Sequence, residues 1–298
     1  MSDKKLLVVA GPTAVGKTAF CVELAKKLNT VIINADSRQF YRQTKIGTAT
    51  PTIEEMQNVP HYLLGHLSIE DYYNVSIYEQ DVLQILKTIF AQNQYAILTG
   101  GSGLYIDTVC HGIDELPDID LNLRQQIENE YITHGLVYLQ NQLQMVDPQY
   151  FQLVDKQNVK RIMRALEICR QTGQTYTSLR KRQPVKRDFQ IVKICLTMER
   201  EILYQKINQR TLDMVLAGFV EEARSLVPYK HLNALNTVGY KELFRYFEGE
   251  YDLPTAIEKI QTSTRRYAKR QMTWFKKDID YQFFNPSQKE EIYKMILE

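Results

Sequence analysis

The first residues whose types and spacing could do chemistry form a glycine-rich loop near the start of the chain. The segment reads GPTAVGKT and matches the phosphate-loop pattern G-x-x-x-x-G-K-S/T in full. Glycines allow a tight turn that points several backbone N–H groups at one anion, lysine adds a positive charge, and a threonine hydroxyl can bind Mg²⁺. We therefore predict a polyphosphate site formed by Gly11, Pro12, Thr13, Ala14, Val15, Gly16, Lys17 and Thr18, with Thr18 as the metal ligand.

Polar residues also follow two other predicted strands. The segment NADSRQ contains Asp36, whose carboxylate could accept a proton or bind Mg²⁺ through water. The segment TGGSGLY has three glycines around Ser102, so its backbone could approach a ligand closely. Ligands of open parallel sheets bind beyond the carboxyl ends of the strands, which predicts that both segments lie near the phosphate loop. The alternatives are that Asp36 caps a helix or turn and that the glycines only make a tight turn.

Basic residues are concentrated in the second half of the chain. Between Lys156 and Arg187 there are ten lysines and arginines and one acid, Glu167. Helical spacing places Lys160, Arg161 and Arg164 close together, and a second basic helix is predicted from Thr264 to Lys277. A basic excess of this size is typical of a surface that binds a phosphate backbone, although a solvated helix face is the alternative.

Strands that alternate with helices must position these segments. The predicted strands are Lys5–Ala10, Val31–Asn34 and Tyr95–Thr99, and the predicted helices between them are Thr18–Leu28 and Ile77–Phe90. This alternation predicts βαβ units and a parallel sheet with helices on both faces. Helical composition then runs from Leu121 to Arg182 with a break at Asp147-Pro148, before a strand at Phe189–Leu196. We predict an α/β fold in which residues 1–117 and 189–298 form a P-loop catalytic core of a parallel sheet flanked by helices. A helical insertion domain then spans residues 118–188.

Composition excludes several classes of protein. The 298 residues include 44% hydrophobic residues and carry a net charge of +2, which suits a globular domain. Four scattered cysteines without a C-x-x-C pair indicate neither a disulfide framework nor a zinc site. Apolar runs are shorter than the roughly 20 residues that span a bilayer. We expect a cytoplasmic protein that does not bind membranes.

Eight motifs together resemble those of the bacterial tRNA dimethylallyltransferases, also called tRNA isopentenyltransferases. In order they are GPTAVGKT, NADSRQFY, KIGTATPT, VPHYLLG, LTGGSGLY, KRIMRALE, LNTVGYKE and AKRQMTWF, and they cover residues 8 to about 276. The resemblance implies transfer of a dimethylallyl group from dimethylallyl diphosphate to N6 of the adenine 3′ of the anticodon. It also implies Mg²⁺ as cofactor, the tRNA anticodon stem-loop as partner, and a monomer.

The same resemblance implies roles for individual residues. Asp36, Ser102 and Lys17 would be catalytic, with Ser102 standing where the family usually has threonine. Arg210 would join the phosphate loop in holding the diphosphate. The tRNA-binding residues would be Asp36, Ser37, Arg38, Gln39, Ser102, Arg124, Lys160, Arg161, Ile162, Met163, Arg164, Thr237, Gly239, Tyr240 and Lys241. This chain has Thr50 where members commonly have lysine in GTAKP, so an ionic role there is in doubt.

Three other functions use the same features. A small-molecule or nucleoside kinase would place ATP on the phosphate loop but would not need a basic arm. A prenyltransferase could act on free adenine nucleotides such as AMP. An RNA-binding module could retain the loop as a remnant, although an intact Lys17-Thr18 with Asp36 argues against it.

Overall fold

The computed structural model of the chain describes residues 3–114, 116–118, 120–180 and 184–297. The chain divides into two compact units. One is made of Met1–His111 with Lys186–Glu298, and the other of Gly112–Val185. The boundaries predicted from composition were at residues 118 and 188. Among the described residues, no helix is both long and apolar enough to cross a membrane.

The first unit is built on a six-stranded sheet. Its strands are β1 (Lys5–Ala10), β2 (Ile32–Asn34), β3 (His61–Tyr62), β4 (Tyr95–Gly100), β5 (Gln190–Leu196) and β6 (Gln282–Phe284). The order across the sheet is β3-β2-β4-β1-β5-β6, and every neighbouring pair is parallel. The predicted parallel sheet is confirmed. The edge strands β3 and β6 were not predicted, because two or three residues are too few to show a periodic pattern.

Helices account for most of the remaining described residues. In chain order they are α1 (Lys17–Lys27), α2 (Ile53–Met56), α3 (Val75–Phe90), α4 (Gly103–His111), α5 (Leu121–Val146), α6 (Pro148–Leu153), α7 (Val159–Thr172), α8 (Tyr176–Leu179), α9 (Arg200–Leu216), α10 (Phe219–Ser225), α11 (Tyr240–Phe247), α12 (Leu253–Phe275) and α13 (Lys289–Leu297). Two short 3₁₀ helices at Val227–Tyr229 and Asn233–Leu235 connect α10 to α11.

The central strand β1 is buried on both faces. Leu7 and Val9 belong to the apolar cluster that includes α1, whereas Leu6 and Val8 belong to the cluster that includes α3. A strand covered by helices on both sides reads as a continuous hydrophobic run, which is why KLLVVA shows no alternation.

Strand register brings three loops to one edge of the sheet. Ala10 pairs with Gly100, and Asn34 pairs with Thr99, so β1, β2 and β4 end side by side. The Ala35 N–H donates to the Thr99 carbonyl at 2.7 Å, which extends the pairing into the loops. The segments singled out after these strands are therefore neighbours.

The second unit is helical in its described residues. Helices α5, α6 and α7 share an apolar core that includes Ile127, Leu143 and Leu166. Helix α5 is kinked at Gly135, where φ is 77°. The predicted break at Asp147-Pro148 separates α5 from α6, and the Asp147 carboxylate accepts from the Tyr150 N–H at 2.9 Å and caps α6.

Candidate active site

The phosphate loop joins β1 to α1. Gly11 has a φ of 145°, and a Cβ there would lie 2.6 Å from the Leu196 carbonyl oxygen, so the position requires glycine. Gly16 caps α1 with a φ of 105°. The Lys17 ammonium donates to the carbonyl oxygens of Gly11 and Pro12, both at 2.9 Å. The Lys17 ammonium therefore lies against the backbone of the loop, at the N-terminus of α1, where an anion is favoured.

Two half-buried cations lie at this loop. Burial lowers the pKa of Lys17 to about 8, and nearby Asp36 opposes that shift. Arg210, from α9, donates to the Thr13 hydroxyl at 2.9 Å, and burial also lowers the pKa of its guanidinium. Because desolvation destabilises both cations, an anion bound between them would recover much of the electrostatic energy. The arrangement favours a polyphosphate.

Asp36 makes a turn and also lines the site. One of its carboxylate oxygens, Oδ1, accepts from the Arg38 N–H at 3.0 Å, while its own N–H donates to the Asn34 side chain at 3.0 Å. Asp36 also lines two neighbouring cavities. Turn formation and a place in the site are alternatives in the sequence, but in the fold they occur together.

The loop that follows β4 packs directly against the Asp36 turn. A Cβ on Gly100 would lie 2.2 Å from the Ala35 carbonyl carbon, so only glycine allows this approach. The Ser102 hydroxyl accepts from the Ser37 N–H at 3.0 Å and donates to the Ser37 hydroxyl at 3.1 Å. The structure thus places the Ser102 hydroxyl beside the Asp36 turn.

Two cavities meet at these residues. The larger, of about 1040 Å³, is lined by the phosphate-loop residues Lys17 and Thr18 among others. The smaller, of about 300 Å³, is lined by Ser37, Arg38 and Tyr267 among others. The residues that line both are Thr13, Ala14, Asp36, Thr48, Arg210 and Met214. Two different ligands could therefore approach Asp36 and Arg210 from separate cavities.

The residues predicted to bind RNA within the first unit fall into two groups. Ser37, Arg38, Thr237, Gly239 and Lys241 line the smaller cavity. The side chains of Gln39 and Tyr240 hold neighbouring segments instead, and the Arg38 side chain does both. Arg38 donates to the Asn233 carbonyl at 2.8 Å, Gln39 donates to the carbonyls of Thr48 and Ala49 at 3.1 and 3.0 Å, and Tyr240 is fully buried. Direct RNA contact by the Tyr240 side chain is not supported by this placement.

Glu222 organises the KIGTAT loop, and sequence reasoning missed it. Its carboxylate accepts from the N–H groups of Ile46 and Gly47 at 2.8 and 2.9 Å and from the Tyr240 hydroxyl at 2.6 Å. A Cβ on Gly47 would lie 2.1 Å from the Phe219 ring, which explains the glycine. Within the same loop, the hydroxyls of Thr48 and Thr50 form a hydrogen bond of 2.9 Å, which is a neutral interaction.

Three polar residues of α12 were not predicted to belong to the site, although the sequence contains a pattern that indicates them. Thr264, Tyr267 and Gln271 share one face with apolar residues, and polar side chains on a buried face indicate a specific partner. Gln271 hydrogen-bonds Thr13 and Gly101, and Tyr267 lines the smaller cavity. Burial raises the pKa of the Tyr267 hydroxyl, which therefore stays protonated.

The basic helix of the second unit is only partly exposed. Arg124 makes a bidentate pair with Glu167 at 2.7 and 2.9 Å, and Arg164 contacts the same carboxylate at 3.3 Å. Within Lys160–Arg164, Lys160 and Arg161 are exposed, Met163 and Arg164 are half-buried, and Ile162 is fully buried in the core. RNA contact by the Ile162 side chain is therefore not supported. Lys181 and Arg182, which the predicted basic run includes, lie outside the described residues.

The oxygen atoms available at the phosphate loop fit a Mg²⁺ ion that takes most of its ligands from a bound phosphate and water. Across the described residues, no group of three or more His, Cys, Asp or Glu side chains could hold a metal by itself. Thr18 and Asp36 both line the larger cavity and offer one hydroxyl and one carboxylate. Mg²⁺ at a phosphate site commonly takes one or two protein ligands and completes its shell with phosphate oxygens and water.

Known proteins share this sequence and fold. A family model described as IPP transferase matches residues 39–278. The tRNA dimethylallyltransferase 1 of Bacteroides thetaiotaomicron is 48% identical over 98% of this chain and 94% of the relative, and that of Bacteroides fragilis is 48% identical over 98% and 97%. A tRNA isopentenylpyrophosphate transferase from Bacillus halodurans is 34% identical, covers 99% of this chain and 96% of its own, and superposes with a TM-score of 0.73. A eukaryotic dimethylallyltransferase acting on tRNA is 25% identical over 96% of this chain and 75% of its own, with a TM-score of 0.79. Because the family model matches most of the chain and these relatives align over nearly all of it, the chain belongs to the IPP transferase family.

Proposed function

We propose that this chain transfers a dimethylallyl group from dimethylallyl diphosphate to N6 of the adenine 3′ of the anticodon in tRNA, releasing pyrophosphate. The observation that carries the proposal is the meeting of two cavities at Asp36 and Arg210 in a member of this family. The phosphate loop lines one cavity, and residues predicted to face RNA line the other.

The diphosphate would bind in the larger cavity. Lys17 and Arg210, which both line this cavity, would surround it together with N–H groups of the phosphate loop. Thr18 is the residue that would hold Mg²⁺, which would supply further positive charge toward the departing pyrophosphate. Preorganised positive charge of this kind stabilises a leaving group as its negative charge develops.

The transfer forms one C–N bond and breaks one C–O bond. The N6 lone pair attacks C1 of the dimethylallyl group, the C1–O bond breaks, and pyrophosphate leaves with the bonding electrons. Asp36 would accept the proton that N6 loses. The Ser102 hydroxyl, which donates to the Ser37 hydroxyl in this structure, would turn to donate a hydrogen bond toward the bridging oxygen. Because the amino lone pair is delocalised into the adenine ring, holding N6 in line with C1 is a large part of catalysis.

The adenine would enter the smaller cavity. A stacked base must leave its stack to reach such a site, which costs a few kcal/mol, and less in a flexible loop. Ser37, Thr237 and Lys241 line the walls that it would meet. The exposed Lys160 and Arg161 would contact the RNA backbone. We expect the enzyme to act as a monomer in the cytoplasm, where its RNA substrate is found.

One reaction mixture tests the proposal. The purified chain is incubated with Mg²⁺, dimethylallyl diphosphate and an unmodified anticodon stem-loop, and mass spectrometry of the RNA reports any gain of C5H8. The matched control RNA carries guanine in place of the adenine 3′ of the anticodon. Parallel mixtures contain ATP with RNA, and AMP with the prenyl donor.

A C5H8 gain that depends on that adenine is the expected result. Phosphate transfer in the ATP mixture, without prenylation, would identify a kinase and overturn the proposal. Prenylated AMP without prenylated RNA would identify an enzyme of free nucleotides.

A further inference from the structure

The AKRQMTWF segment of α12 contains a buried amide that spans two loops of the site. The Gln271 side chain is 5% exposed. Its Oε1 accepts from the Thr13 N–H at 2.9 Å, and its Nε2 donates to the Gly101 carbonyl at 3.0 Å. One side chain is thus bonded to the phosphate loop at one end and to the loop before Ser102 at the other.

The fit around this amide is close. A Cβ on Gly101 would lie 2.1 Å from Nε2, so any larger residue would displace the amide. Ala268 and Phe275, on either side of Gln271 in α12, are buried in the two apolar clusters of the sheet. The Trp274 Nε1–H donates to the Asp107 carboxylate of α4 at 2.9 Å, which ties α12 to the helix that follows Ser102. Helix α12 therefore presents the amide from a fixed position.

Without a change of protonation state, an amide suits both partners and an ionised carboxylate does not. The Thr13 N–H needs an acceptor and the Gly101 carbonyl needs a donor, and glutamine offers one of each on a single planar group. Ionised glutamate offers acceptors alone, and methionine has about the right length but offers no comparable donor or acceptor. The two hydrogen bonds can therefore be removed without a large change in volume.

We propose that Gln271 is a positioning residue that fixes the phosphate loop against the Gly101–Ser102 turn, so that both loops address the same diphosphate. The proposal rests on the proposed function for the identity of the reaction, but the spacing of the two loops affects the binding of any diphosphate. Loss of the amide would let the loops separate. A displacement of about 1 Å at reacting groups can lower a rate by about 100-fold.

The test compares Gln271→Met, Gln271→Glu and the wild-type chain. Gln261→Met is the matched control, because Gln261 also lies on α12 but donates to the Asn208 carbonyl, at 3.3 Å. For each protein we would measure the thermal midpoint, the Kd of inorganic pyrophosphate with Mg²⁺ by calorimetry, the Kd of the anticodon stem-loop, and kcat. We expect Gln271→Met to bind pyrophosphate about 10-fold more weakly and to lose about 100-fold in kcat. Its RNA affinity, and all values of the control, should match wild type.

Gln271→Glu adds a pH-dependent readout, measured well below the thermal midpoint of the variant at each pH so that a general loss of stability does not contribute. A buried carboxyl has a raised pKa, and once protonated it offers one donor and one acceptor, like the amide. Pyrophosphate affinity and kcat, expressed relative to wild type at each pH, should therefore rise toward wild type as the pH falls. The pH series of Gln271→Glu tests the positioning role of Gln271 even if Gln271→Met fails to fold.

The proposal is overturned if folded Gln271→Met keeps the wild-type kcat and pyrophosphate affinity, or if the ratios for Gln271→Glu do not change with pH. If the wild-type chain transfers no prenyl group, the proposed function fails. The pyrophosphate affinities of the same variants then still test the positioning role.

Discussion

At the scale of single residues, the Asp36 carboxylate has a structural role in its turn and a proposed chemical role as a proton acceptor. Its Oδ1 closes the turn by accepting from the Arg38 N–H, and the side chain also lines both cavities. Asparagine retains the acceptor that the turn needs but cannot accept a proton at neutral pH. A single substitution to asparagine therefore removes the chemical role and keeps the structural one.

We expect Asp36→Asn to lower kcat by about 10²–10⁴-fold, the usual contribution of a general base. The Kd of the anticodon stem-loop and the thermal midpoint should stay near wild type, because the turn is kept. Asp155→Asn is the control, since the Asp155 carboxylate closes the same kind of turn with the Gln157 N–H at 3.0 Å. Wild-type kcat in Asp36→Asn would remove Asp36 from the chemistry.

Lys17 predicts a pH dependence. Burial lowers its pKa from 10.5 in the unfolded chain to about 8 in the folded one. Between these values the unfolded state binds more protons, so this residue adds stability as the pH rises through the window. Diphosphate binding needs the charged ammonium and should therefore weaken above about pH 8.

Initial rates measured from about pH 7 to about pH 10 should show kcat/KM for dimethylallyl diphosphate falling on the basic side. Lys17→Arg should be slower overall but should lack this fall, because a guanidinium stays charged throughout. A wild-type profile that is flat through pH 8 would contradict the predicted role of Lys17 in binding.

At the scale of elements, α7 begins with two exposed cations. Lys160 and Arg161 lie in its first turn, which contains no acidic residue. Cations at a helix N-terminus oppose the helix dipole and cost some stability. Arg164, by contrast, contacts Glu167, whose side chain is only 2% exposed. The same basic sequence therefore contains residues available to a phosphate backbone and a residue that maintains the fold.

We expect Lys160→Ala with Arg161→Ala to weaken binding of the anticodon stem-loop and to reduce its salt dependence, by about 0.7–0.9 in the log–log slope for each phosphate that is no longer neutralised. The thermal midpoint should stay the same or rise. Arg164→Ala should instead destabilise the fold by about 1 kcal/mol, because the buried Glu167 carboxylate loses one charged partner and keeps Arg124. If the double variant keeps the wild-type salt slope, α7 is only a solvated face.

At the scale of the whole molecule, the chain leaves and re-enters the first unit at neighbouring points. The Arg187 guanidinium donates to the carbonyls of Val109 and Thr108 at 2.8 and 2.9 Å and pairs with Glu79. It therefore holds the returning chain beside the end of α4. The two points where the first unit is interrupted, after His111 and before Lys186, are therefore close enough for a short linker to join them.

We expect a chain in which a short Gly-Ser linker replaces residues 112–185 to fold cooperatively and to bind pyrophosphate with Mg²⁺ within a few-fold of wild type. Because α7 is removed, its affinity for the anticodon stem-loop should fall by at least about 10-fold. Calorimetry with pyrophosphate and with the anticodon stem-loop measures the two affinities. Wild-type RNA affinity would show that the excised unit is not the RNA-binding arm.

The sequence by itself determined the parts of this protein that rest on local patterns. The hydrophobic run Lys5–Ala10 and the adjoining GPTAVGKT predicted a strand, an anion loop and a helix, because strand burial and glycine turns act between near neighbours. Strand–helix alternation predicted the parallel sheet, and its carboxyl edge brought Asp36 and Ser102 to the phosphate loop.

Only the tertiary structure decided which side chains act on ligands and which hold the loops. Gln271 bonds to Thr13 across 258 residues, Glu222 bonds to Ile46 across 176, and Arg124 pairs with Glu167 across 43. No local pattern records such partnerships, because each depends on where the packed sheet and helices bring the backbone of another segment. The basic run and the polar face of α12 were visible in the sequence, but their division into exposed and bonded residues required the fold.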